Sequence, residues 1–183
     1  GFGMFIYQIL LVVSILFMII LFFLIILKSK KKQIHYAVMA ITISLLIWNI
    51  SVLCYTTFSG IPWVLAVSER MYFVGIIFVS LATLFTGLIF VHTRISFSWK
   101  HALLFVVPVL SLVVLFTNQY HHFFYRTFSL IPSHQDFGFY FAVHTAYSYL
   151  CIGIGLFYFL HFSVKNFGFF SRQALLIFFG ILI

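Results

Sequence analysis

The chain has 183 residues, of which 64% are hydrophobic, 22% aromatic and only 7% charged. Soluble domains carry roughly 25% charged and 45 to 50% apolar residues, so this chain cannot coat a water-facing surface and lipid is its main solvent. Its only acidic residues, Glu69 and Asp136, leave little room for hydrolysis by paired carboxylates. The net charge of +8 does not indicate nucleic acid either, because the ten Lys and Arg flank apolar runs instead of forming one basic face.

A bilayer core about 30 Å thick is crossed by roughly 20 helical residues. Runs of that length predict a first span over Phe5 to Leu27, a second over Tyr36 to Phe58, a third over Trp63 to Val91, a short fourth over Ala102 to Phe116 and a fifth over Phe139 to Phe162. A sixth begins at Ala174, and its ten residues reach only about half-way across. The predicted fold is an all-α polytopic transmembrane helix bundle of five full spans plus a truncated sixth. The first residue, Gly1, and the apolar run that stops at Ile183 are expected of a fragment, with residues 1–183 forming one incomplete membrane-embedded region.

Lys28, Lys30, Lys31 and Lys32 follow the first span, Arg94 and Lys100 join the third to the fourth, and Lys165 and Arg172 join the fifth to the sixth. These eight cations fall in alternate connections, so the positive-inside rule makes that side cytoplasmic and the N-terminus external. A tight outer turn is predicted at Gly60 to Pro62. The segment Thr117 to Gly138, the longest and most polar connection, is then external as well.

Small residues at Gly75, Ala82 and Thr86 in the third span, and at Ala142, Ala146 and Gly153 in the fifth, share the spacing i, i+7, i+11 and mark close helix packing, within the bundle or at a dimer seam. Asn49, mid-span beside Trp48, is expected to bond to another helix, because an unpaired amide in lipid is costly. Cys54 and Cys151 lie in apolar runs and are expected to stay reduced and apart.

Neither a glycine-rich phosphate loop nor HExxH, GxSxG or a Cys/His nucleophile pair is present, and no cofactor or metal is expected. The histidines divide by side. His35, His92, His101 and His161 fall at cytoplasmic ends, and His121, His122, His134 and His144 fall outside or just beneath the outer surface. Tyr140, His144 and Tyr147 share a face of the fifth span, and Glu69 and Tyr72 share one near the outer end of the third. Together they are expected to line an outward cavity covered by Asn118, His121, His122, Arg126, His134 and Asp136, with a Glu69–Arg126 pair tying the third span to the loop. The competing explanation is that Tyr, Trp and His simply favour the membrane interface.

The order of motifs resembles the seven-transmembrane N-terminal sensor region of bacterial histidine kinases. The resemblance rests on PVLSLVVLFTNQYHHFFY (Pro108 to Tyr125), Trp48, ERMYFVG (Glu69 to Gly75), Gly138 before a Tyr-rich span, and SRQALLIFFG (Ser171 to Gly180). It implies a signal-input module of the bacterial cytoplasmic membrane that is not itself catalytic. A seventh span and an output domain would follow, and the full-length kinase would form a homodimer. A small-molecule transporter or channel subunit, or the sensor region of another output such as a cyclase, are the alternatives.

Overall fold

A computed structural model of the chain describes residues 1–92, 96, 98–127 and 136–165. Its elements in chain order are α1 (Phe2–Ile26), α2 (Gln33–Thr57), α3 (Pro62–His92), α4 (Trp99–Leu103), α5 (Val106–Phe116), α6 (Asn118–His121), β1 (Tyr125–Thr127), β2 (Asp136–Phe137) and α7 (Phe139–Lys165). α1, α2, α3, the α4–α5 segment and α7 are long and apolar enough to cross a membrane, which makes the chain an all-α polytopic bundle. The predicted sixth span, Arg94, Arg172 and His134 lie outside the described residues.

α3 is the axis, packed against α2, α5 and α7. It is buried on most sides from Phe73 to Ile89, whereas α1 buries only Leu11 and packs on α2. Glycine sets the closest approaches. A Cβ added at Gly75 would lie 2.9 Å from Trp48 Cβ of α2, and one at Gly87 would lie 2.8 Å from the Gly155 carbonyl oxygen of α7. The small residues expected to mark packing divide accordingly. Gly75, Ala82 and Thr86 are buried, but Ala142, Ala146 and Gly153 are exposed, and α7 meets α3 through Gly155 instead. Asn49 does reach another helix, its amide lying 3.6 Å from the Met18 sulfur of α1. Cys54 and Cys151 are both free thiols.

Two stretches depart from expectation. The fourth span is not one helix: it breaks at Leu104 and Phe105, between α4 and α5. Pro108 supplies the reason, since it has no N–H to offer the carbonyl four residues back and its ring crowds that carbonyl, which is Leu104's. The α2–α3 connection is tight, closed by Ile61 N–H donating to Phe58 O at 3.1 Å. The long connection after α5, expected to be a polar cover, turns inward. α6 ends on His122 in the left-handed region (φ 57°), after which Phe124 and Tyr125 are fully buried against Phe73, Val74, Val114, Leu115 and Tyr140. β1 and β2 then pair antiparallel, Tyr125 opposite Phe137, to form a short hairpin. Gly138 passes so close to this turn that a Cβ there would sit 2.1 Å from Phe123 O, so only glycine fits.

Candidate functional site

The hairpin end of the bundle holds a cavity of about 680 Å³ between α1, α2, α3 and α7, within the size range of small-molecule sites. Each helix contributes a face at helical spacing: Trp48, Ser51 and Tyr55 from α2, Ser68, Glu69, Tyr72, Phe73 and Ile76 from α3, and Phe141, His144, Thr145, Ser148 and Ile152 from α7. Tyr7 of α1 and Phe137 of β2 also reach it. Edge-to-face aromatic pairs shape the wall, with ring centroids 5.8 Å apart for Trp48 and Tyr72 and 5.3 Å for Tyr72 and Phe73.

Glu69 is the charged group on this wall among the described residues. Its Oε1 accepts a hydrogen bond from the Tyr125 hydroxyl at 3.4 Å, which links α3 to the hairpin. Burial, and after it the neighbouring carboxylate, raises the Tyr125 phenol above its ordinary range, so the phenol is the neutral donor in this pair. The Arg126 side chain lies outside the described residues, and with it the expected Glu69–Arg126 pair. The Asp136 side chain lies there as well.

The structure sorts the remaining expected site residues into two groups. Glu69, Tyr72 and His144 line the one cavity. His144 is 3% exposed, its ring 5.8 Å from Phe73 and 5.5 Å from Phe124. Tyr140 and Tyr147 turn to the broken fourth span instead. The Tyr147 hydroxyl donates to Leu104 O, the carbonyl that Pro108 leaves without a helical donor. The Tyr140 hydroxyl donates to Val107 O at 3.3 Å and lies 3.0 Å from Ser111 Oγ. These two tyrosines hold the broken span against α7.

Asn118, His121 and His122 shape the loop and do not line the cavity. Asn118 Oδ1 accepts from the backbone N–H groups of Phe124 at 3.1 Å and Tyr125 at 2.8 Å, and its amide donates to Tyr125 O at 3.1 Å. His121 lies 2.9 Å from Thr117 Oγ1, accepts from Phe123 N–H at 2.9 Å and stacks on the Phe123 ring. His122 is exposed.

Sequence reading missed Trp48, Ser51, Tyr55, Thr145 and Ser148 as wall residues. The signal was present: Trp48, Ser51 and Tyr55 recur at i, i+3, i+7, and His144, Thr145 and Ser148 at i, i+1, i+4, each a polar patch in an apolar helix. Choosing Tyr140 and Tyr147 as neighbours of His144 selected an adjacent face of α7.

A bundle of apolar spanning helices around a cavity of about 680 Å³ defines a multi-pass membrane protein with a ligand-sized site. The chain belongs to the family described as the N-terminal 7TM region of histidine kinase, whose model matches residues 9–183. It is thus a sensor transmembrane region of that class. No curated protein and no solved structure matches it.

Proposed function

We propose that the chain is the signal-input domain of a bacterial two-component histidine kinase, multi-pass in the cytoplasmic membrane, with its hairpin end outward. An external or membrane-borne signal molecule occupies the cavity between α1, α2, α3 and α7 and shifts helix packing by about 1 to 2 Å, biasing a cytoplasmic output domain in a homodimer. The observation that carries this reading is the Glu69–Tyr125 link. A ligand that engages Glu69 competes with Tyr125, and Tyr125 lies in the hairpin that is continuous with the start of α7. Cavity occupancy is thereby coupled to the position of α7 relative to α3.

The test is made in the full-length protein. Ser51 of α2 and Ser148 of α7 are both buried in the cavity lining. Replacing either with Leu fills the space, and output measured through the response-regulator target is expected to freeze at one level across growth conditions while membrane abundance stays normal. If both variants respond as the wild type does, the cavity is not the sensing site.

A further inference from the structure

We infer that the cavity takes an organic cation, an amine or quaternary ammonium group carried on an apolar body. The inference rests on the reading of this cavity as the sensing site and adds the class of molecule it senses.

Three features of the wall converge on that chemistry. The first is charge: Glu69 is the acidic residue among the described lining residues, and no Lys or Arg is found among them, although the chain as a whole carries +8. An anion would be pressed against Glu69. A neutral apolar body would cover the carboxylate without compensating it, whereas a cation supplies the opposite charge that no described lining residue offers.

The second is the kind of surface around the carboxylate. Tyr55, Tyr72 and Trp48 line the same cavity as Glu69, and the Trp48 ring packs on Tyr72 at 5.8 Å. Electron-rich aromatic faces beside one acidic group attract diffuse cations with apolar substituents, which lose little hydration when they enter. The third is the count of hard ligands. Among the described residues no group of three or more His, Cys, Asp or Glu exists that would hold a metal ion. One carboxylate cannot replace the oxygen shell that an inorganic cation keeps around itself. A cavity of about 680 Å³ instead leaves room for a body of many non-hydrogen atoms.

The experiment uses the full-length protein in lipid nanodiscs, titrated calorimetrically with three probes of one shape: benzyltrimethylammonium, its neutral carbon isostere neopentylbenzene, and the anion benzylsulfonate. Heats from empty nanodiscs are subtracted to remove partition into lipid. The expected result is saturable binding of the cation, at least tenfold tighter than either other probe and weakened at least tenfold by Glu69→Gln. Tyr55 provides a second, independent handle: Tyr55→Phe keeps the ring and is expected to bind the cation as the wild type does, while Tyr55→Leu loses several-fold.

Absence of saturable binding by the cation, equal affinity in Glu69→Gln, or equal binding of benzylsulfonate overturns the proposal. Its failure is separable from failure of the functional reading. Frozen output in Ser148→Leu with cation affinity indifferent to Glu69→Gln removes the ligand class and keeps the sensing cavity. The reverse pattern keeps the cation site and removes the sensing role.

Discussion

Asn118 shows how one polar side chain can hold a membrane-edge loop in place. It is 3% exposed and satisfies three backbone groups of Phe124 and Tyr125, residues that are themselves fully buried. Asn118→Ala strands those groups away from water, so the domain is expected to lose about 3 kcal/mol. Thermal unfolding in detergent with a reporter on the hairpin checks this, and Asn118→Asp, which keeps the acceptor and loses the donor, should fall between. In the sequence this asparagine was visible as a polar residue in a polar loop, and it was read there as a ligand group. Its actual partners lie six and seven residues ahead, a local closure that no helical or strand periodicity announces. His144 was easier to place, because a polar residue inside a span must face other helices or a cavity.

At the scale of elements, the contact between α3 and α7 depends on two glycines meeting face to face. Gly87→Ala places a Cβ 2.8 Å from Gly155 O, where the obstacle is backbone and cannot rotate away, so α3 and α7 must separate. A loss of about 1 to 3 kcal/mol is expected, measured as a lower unfolding temperature in nanodiscs. Gly153→Ala, where nothing lies within 4 Å, is expected to leave stability unchanged or slightly raised. The existence, order and approximate ends of the first three spans and the fifth were legible in the sequence, because a helix in lipid must be apolar over a fixed length. The break between α4 and α5 was not, although Pro108 was in view. A proline in a spanning helix often only bends it, and the outcome depends on what satisfies the freed carbonyl. Here that partner is Tyr147, 43 residues on in α7, which is also why Tyr147 lies off the cavity wall.

For the molecule as a whole, the orientation is open to a direct measurement. With the N-terminus outside, single cysteines at Lys31 and Lys100 are expected to resist a membrane-impermeant thiol reagent applied to intact cells, and one at Tyr120, 81% exposed, to react, after correction for Cys54 and Cys151. Labelling at positions 31 and 100 with protection at 120 would reverse the bundle and move the cavity mouth to the cytoplasmic side. Either way up, the centre of the bundle has a mechanical property set by its hydroxyl groups. Thr42, Ser44 and Ser51 of α2 and Ser80, Thr83 and Thr86 of α3 are all buried, and each donates to the carbonyl four residues earlier in its own helix. Each hydroxyl thus has a hydrogen-bond acceptor within its own helix and needs none across a helix interface. Sliding one helix along another by an ångström or two breaks none of these six bonds. Resistance to such sliding comes instead from shape, above all where Gly75 meets Trp48 and Gly87 meets Gly155.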